Sequence, residues 1–457
     1  MKKLLLVSVL FMSLLAVSCS QPSNGISRSQ DNWLADSVPS IKQTYSDTFD
    51  YIGLAVEYGN FGLKCTGDKY TGTYTHDKSW GTPSELYYSE VQQGISKHAN
   101  TITLGNELKP QFLLQWWDGN GSSQSKKTFT ASNGKTIDVP DKLNGEALIY
   151  ATLNAAKNAG VKMRGHVLTW HSQTPEGFFR EKYSKDGALV SKEVMTARHE
   201  WYIKTVLDCV AQWEIHNGYA GKETGNHLIW AWDVVNEAMA DDASAPSTDS
   251  WLRGSTAGTK DKDPANGGSR WYEIYKNEEF IINAFRFANA YAPADVKLCY
   301  NDYNEYMANK TSAIEHIADL IKNGSEQTVG GKNVKPRLDA IAMQSHVGTS
   351  WPSLSEYESA LKKFLAIADV HVSELDFNAE TQQAAEKAYA DYFKMLKNYG
   401  KNYRNPYKIT CVTIWGINNE SSWINPSNGK TTYPLLFNKV GETYDTNNSF
   451  WAVINSH

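Results

Sequence analysis

From Tyr51 onward, short β-rich apolar runs alternate with long amphipathic stretches, and this alternation limits the possible folds more than any other feature. The runs are YIGLAV (51–56), NTITL (100–104), VKMRGHVL (161–168), LIWAWDVV (228–235), VKLCYN (296–301), LDAIAMQ (338–344), DVHVSEL (369–375) and ITCVTIW (409–415). Stretches such as GEALIYATLNAAKNAG, EFIINAFRFANAYA, SAIEHIADLIKNG and AAEKAYADYFKMLKNYG lie between them and read as helices. Strands alternating with helices predict βαβ units and a parallel sheet. Eight such units over about 400 residues predict an α/β fold of the (β/α)8, or TIM barrel, type. An open doubly wound sheet is the alternative, but no glycine-rich phosphate turn follows the first run.

Two connections are too long to be plain loops. Residues 112–142 follow strand two and carry a hairpin signal at Asn133-Gly134. Residues 239–270, rich in Ala, Ser, Asp and Gly, follow strand four. Both leave the C-terminal ends of strands, the face on which barrel enzymes build their sites. No internal repeat or second domain is visible, so residues 46–457 read as one catalytic domain.

The N-terminus reads differently. MKKLLLVSVLFMSLLAVSCS has two lysines, a short apolar run and small residues before Cys19, the pattern of a signal peptide over residues 1–19. LLAVSC resembles a bacterial lipobox, which implies cleavage before Cys19, lipidation of its thiol and a place in the bacterial cell envelope. Ordinary cleavage beside a chance cysteine is the alternative. Residues 20–45 are polar and are expected to be a tether, with the membrane engaged through the lipid alone. Cys65, Cys209, Cys299 and Cys411 are far apart, and the last three sit in apolar segments, so free thiols are expected rather than a disulfide framework. No CxxC or His-rich cluster suggests a metal. A net charge of −5 offers no footprint for nucleic acid. The chain has 15 Trp and 25 Tyr, rings that suit sugar faces but also any large core.

In a barrel, polar residues at strand ends converge on one mouth. Here these are Asn106 and Lys109 after strand two; His166, Trp170 and Gln173 around strand three; and Asn236-Glu237 on strand four. YNDYN (300–304) ends strand five, Gln344 and His346 strand six, Glu374 and Asp376 strand seven, and Trp415 strand eight. Glu237 and Glu374 stand three strands apart. Two acids facing each other across a mouth suit glycoside hydrolysis, one protonating the leaving oxygen while the other attacks the anomeric carbon. Alternation along a strand would place His166 and His171 on opposite faces, which argues against a metal pair.

GHVLTWHSQTP (165–175), WDVVNEA (232–238), YNDYN (300–304), AMQSHVG (342–348), SELDF (373–377) and TIWG (413–416) together, in this order, resemble glycoside hydrolase family 10, the retaining endo-β-1,4-xylanases. The resemblance covers roughly residues 50–457. It implies that Glu237 is the general acid/base and Glu374 the nucleophile. Asn236 resembles the amide that holds the 2-hydroxyl of the sugar being cleaved, and His346 the histidine that hydrogen-bonds the nucleophile, with Asp376 holding its ring. Asn106, Lys109, His166 and Gln173 resemble polar sugar contacts on the non-reducing side, and Trp170, Trp415 and Trp423 the aromatic walls; Gln344 joins the substrate contacts. The implied substrate is xylan or a xylo-oligosaccharide, the implied state a monomer, and the mechanism needs no cofactor.

The match has one departure. The family has Glu immediately before the Asn of its E-N-x-x-K pattern, whereas TLGNELK places Gly105 there. That weakens a grip one sugar beyond the cleaved residue unless residues 112–142 supply a replacement. Another β-1,4-glycan as substrate, or a non-catalytic glycan-binding lipoprotein, are the rival readings.

Overall fold

All eight residues of the strand Ile229–Asn236 are buried, Trp230 and Trp232 included. A strand covered on both faces belongs in a parallel sheet flanked by helices. The computed structural model describes residues 30–457 apart from 60, 78, 80, 242–250, 256–267 and 426–431. Its main sheet contains β1 (Tyr51–Val56), β2 (Thr101–Leu104), β3 (Lys162–Gly165), β4 (Ile229–Asn236), β5 (Lys297–Asp302), β6 (Ala340–Met343), β7 (Asp369–Asn378) and β8 (Ile409–Ile414). Each pairs in parallel with its neighbours, and β8 pairs with β1, so the sheet closes on itself. Closure excludes the doubly wound alternative.

A helix follows every strand: α1 (Ser89–His98), α2 (Glu146–Asn158), α3 (Lys192–His216), α4 (Glu279–Tyr291), α5 (Ala308–Lys322), α6 (Leu354–Phe364), α7 (Gln382–Leu396) and α8 (Asn448–Ile454). Their apolar faces meet the outer faces of the strands in one core. The barrel interior is partly ionic. Arg164 on β3 and Asp233 on β4 form a fully buried bidentate pair, and the Arg164 Nε donates to His371 Nδ1 on β7 at 3.3 Å. His371 is thus an interior residue below the mouth. Cys299 and Cys411 lie buried beside this layer as free thiols, while Cys65 is exposed.

The sequence expectation fails at the N-terminal boundary. Residues 32–45 are not a tether: Trp33, Val38, Ile41 and Tyr45 are buried. Trp33 packs edge-on against Phe437 and Tyr444, and its N–H donates to the Tyr444 carbonyl at 3.0 Å. On α1, Gly94 makes room for that indole, since a Cβ there would lie 2.1 Å from the ring. The Tyr45 hydroxyl reaches the Val453 carbonyl of α8 at 2.7 Å. Four large apolar side chains spaced among Ser, Asp and Pro were masked by the polarity around them. Cys19, the signal peptide and residues 20–29 lie outside the described residues.

The 112–142 insertion does form the hairpin expected of Asn133-Gly134, with strands Lys126–Thr130 and Thr136–Pro140. It leans on α3: Ser132 donates its N–H (2.8 Å) and hydroxyl (2.6 Å) to Glu200, and Asn133 donates to the Glu193 carbonyl (3.0 Å). Trp116 is buried, while Trp117 is half exposed against Phe61 and Phe112. Of the 239–270 insertion the two stems are described, paired through Ala240 N to Trp251 O at 3.0 Å and Arg253 N to Ala238 O at 2.9 Å.

Candidate active site

The chain leaves β4 at Glu237 in the left-handed region, φ 54°. That conformation is costly for a residue with a Cβ and is kept where surrounding contacts fix it. Here the Glu237 N–H donates to the Asn301 carbonyl at 2.9 Å, and the Arg253 Nε donates to the Glu237 carbonyl at 2.9 Å. The Glu237 carboxylate is held by neutral donors. Trp170 Nε1 reaches Oε2 at 2.7 Å and Gln344 Nε2 reaches Oε1 at 2.9 Å. His171 Nδ1 lies 3.8 Å from Oε2. Burial, helped by the charges of Arg253 and Lys310, keeps the His171 ring well below its ordinary pKa and so uncharged.

The surroundings of Glu374 on β7 are different. Asn301 Nδ2 donates to Oε1 at 2.7 Å, and His346 Nε2 stands 3.3 Å from Oε2. The other nitrogen of His346 meets Asp376 Oδ1 at 2.7 Å. Burial opposes a charged His346, but Asp376 and Glu374 outweigh it and lift the ring well above its ordinary range. The imidazolium then holds Glu374. Burial would raise this carboxyl, but the His346 hydrogen bond, the field of the neighbouring histidines and the Asn301 amide bring it down to about 2. Trp423 Nε1 donates to Asp376 Oδ2 at 2.8 Å, which orients the residue behind the histidine.

One side chain ties the two acids together. Asn236 Oδ1 accepts from Gln344 Nε2 and from Asn301 Nδ2, both at 3.0 Å. The same two donors serve Glu237 and Glu374. With its oxygen occupied, Asn236 has Nδ2 left to donate.

The rest of the predicted set lines the same mouth. Lys109 Nζ donates to Gln173 Oε1 at 2.9 Å and to Asn106 Oδ1 at 3.3 Å, and lies 4.7 Å from the centre of the Trp170 ring. Burial lowers the Lys109 ammonium below its ordinary range, against the pull of Glu374 and Glu237. His166 Nδ1 meets Asp233 Oδ2 at 2.9 Å, which anchors it to the interior ion pair, and its ring lies 5.8 Å from that of Trp415. Trp423 is 63% exposed with its ring edge-on to His346, so one face is open at the rim.

Some neighbours of the site were not legible in the sequence. β3 ends at Gly165, so the alternation used to separate His166 from His171 does not extend that far, and both rings reach the mouth. Asn301, inside the YNDYN run, holds the nucleophile candidate, and its own oxygen is fixed by Ser373 Oγ at 2.7 Å. Arg253 comes from the second insertion and donates to Asp241 and the Tyr303 hydroxyl, each at 3.1 Å. Among the described residues, no group of three or more His, Cys, Asp or Glu could hold a metal ion.

Comparison with known proteins follows the same line. The family model for glycosyl hydrolase family 10 matches residues 40–456. The chain is 33% identical over 344 residues to a bifunctional endo-1,4-beta-xylanase of Ruminococcus flavefaciens, covering 75% of this chain and 30% of the relative. It is 31% identical over 363 residues to endo-1,4-beta-xylanase A of Butyrivibrio fibrisolvens, covering 77% of this chain and 75% of that one. Against the first relative, and against endo-1,4-beta-xylanase Y of Acetivibrio thermocellus, the chain spans 30% of the relative's length. Among solved structures it resembles the CBM22–GH10 modules of a Clostridium thermocellum endo-1,4-beta-D-xylanase complexed with xylohexaose. That match has a TM-score of 0.66 and 28% identity, covering 94% of this chain and 69% of the other.

Proposed function

This chain belongs to glycosyl hydrolase family 10, and from that premise we propose that it cleaves internal β-1,4-xylosidic bonds of xylan with retention of configuration. Glu374 attacks the anomeric carbon as Glu237 gives its proton to the glycosidic oxygen, so the aglycone leaves as an alcohol. The glycosyl–Glu374 ester is then hydrolysed: Glu237, now ionised, takes a proton from water, the water oxygen bonds to the anomeric carbon, and the Glu374 carboxylate is released. Two inversions give net retention. Asn236 Nδ2 holds the 2-hydroxyl of the sugar under attack, a contact that tightens as positive charge develops.

The observation that carries this reading is the opposed surroundings of the two acids, Glu374 on a cation and Glu237 on neutral donors, joined through Asn236. Xylan as substrate draws support from the names of the relatives and from the xylohexaose bound by the Clostridium structure. Export as a lipoprotein anchored at Cys19 in the bacterial envelope belongs to the same proposal and rests on the first 20 residues alone, and the monomeric state rests on the family resemblance.

The test is a proton NMR time course of xylohexaose digestion. Fresh reducing ends that start as the β-anomer, with shorter oligomers from internal cleavage, are expected. Early α-anomer would overturn Glu374 as nucleophile. Cleavage of cellohexaose but not xylohexaose would overturn the substrate, and cleavage of neither would favour a binding protein.

A further inference from the structure

Gly105, at the exit of β2, has an ordinary φ, so its backbone does not require glycine. The space beside it is taken by Glu57. A Cβ at 105 would stand 3.3 Å from Glu57 Oε1, close enough to press on that carboxylate, and 3.5 Å from its Cγ, an ordinary contact. Glu57, the first residue after β1, thus projects into the volume that a side chain at 105 would take. We propose that Glu57 is a specificity-determining residue that hydrogen-bonds the sugar one place beyond the cleaved xylose on the glycone side, supplying from β1 a carboxylate that Gly105 lacks.

Three observations support it. Asn106 Nδ2 donates to Glu57 Oε1, while Asn106 Oδ1 accepts from Lys109 and from Gln173 Nε2 (3.2 Å). Glu57 is therefore part of one polar wall with Asn106, Lys109 and Gln173. Its other oxygen, Oε2, has no hydrogen bond among the described residues, and the side chain borders a cavity of about 1060 Å³ shared with Gly105, Trp415 and Trp423. Glu57 is also held in place. Glu107 Oε1 accepts the N–H groups of Tyr58 (2.6 Å) and Gly59 (2.8 Å), and the Leu86 N–H donates to the Glu57 carbonyl at 2.9 Å. A positioned carboxylate with a free oxygen matches the vicinal hydroxyls of a pyranose, and charge-assisted bonds of this kind are the strong ones.

The side of the cleft follows from the barrel order. At the exits of β4 and β5, Arg253 donates to the Glu237 carbonyl and is itself held by Asp241 and Tyr303, and this side is the one assigned to the aglycone. Glu57 and Asn106 stand at the exits of β1 and β2; β1 pairs with β8, which carries Trp415 at its exit and pairs with the Glu374 strand β7, and this side is the one assigned to the glycone.

The inference rests on the xylanase reading above, and its test separates the two. The ratio of kcat/KM for an aryl β-xylobioside to that for the aryl β-xyloside isolates the second glycone sugar. Glu57→Ala is expected to lower this ratio about 10- to 100-fold, the worth of a hydrogen bond to a charged group; Glu57→Gln should lower it less, and covers the case in which the alanine variant folds poorly. Gly105→Glu alone should also lower the ratio, because two carboxylates then compete for one space. Glu57→Ala combined with Gly105→Glu should recover part of what Glu57→Ala loses, which a merely structural role would not do. A ratio unchanged by Glu57→Ala, or a double variant no better than Glu57→Ala, overturns the assignment and leaves the catalytic reading intact. A parent chain inactive on both glycosides overturns both.

Discussion

The two acids leave strands of the same sheet toward the same mouth, yet what surrounds them differs in charge. Glu374 is bound to an imidazolium that is itself backed by a carboxylate, and it is ionised far below neutral pH. Glu237 accepts from an indole and an amide, and the imidazole 3.8 Å from it is uncharged. Donor type, more than distance, separates the proposed nucleophile from the proposed proton donor. Asn236, Gln344 and Asn301 fix the spacing between them without adding charge to either side.

The comparison breaks most sharply at Glu374, the proposed nucleophile. Glu374→Ala is expected to lower kcat on xylohexaose by at least about 10⁴-fold with the thermal midpoint little changed; comparable rates for variant and parent would remove the assignment. Glu237→Ala should cost about 10³-fold on xylohexaose but far less for formation of the glycosyl-enzyme from an aryl xyloside with a good leaving group. Equal losses on both substrates would count against the acid role.

Next is the cation. His346→Ala removes the donor and charge that offset burial of Glu374, so the carboxyl must rise from about 2. Because Glu374 acts ionised, kcat/KM falls as pH drops through its pKa, and the acid limb of the profile should move to higher pH by about one to three units. A limb that stays in place would show that His346 does not hold the charge. The smallest effect is expected on the neutral side. Gln344→Ala takes one donor each from Glu237 and Asn236 and should cost about tenfold in kcat/KM without moving the acid limb. A shift of that limb would mean the two halves of the site are less separate than their donors suggest.

That Glu237 and Glu374 share one mouth was legible in the chain because barrel geometry sends every strand end there. Once eight runs were located, Glu237 and Glu374 could be placed without knowing any contact. The strand boundaries were close for the same reason: apolar runs such as IWAWDVV are buried on both faces, and composition marks them. Most of the predicted side chains from Asn106 to Trp415 meet because they sit within about five residues of a strand end, whereas Gln173 and Trp423 reach the mouth on the longer loops after β3 and β8. Trp33 and Tyr45 were missed because local polarity said nothing about the pockets that Gly94 and Val453 offer them.

What the sequence determined by itself is therefore periodic or local: the alternation that closes the barrel, and the acids placed one residue past the end of β4 and in the C-terminal half of β7. What only the tertiary structure decided is contact between distant segments. His171 faces Glu237 because β3 stops six residues earlier than the histidine, so strand alternation no longer governs its direction. Glu57 fills the space at Gly105 although 48 residues separate them, since β1 and β2 are hydrogen-bonded neighbours and their exits lie side by side. A missing side chain is read in the sequence as a loss. Whether a neighbouring strand replaces it depends on register and reach across the sheet, and these are set only when the barrel closes.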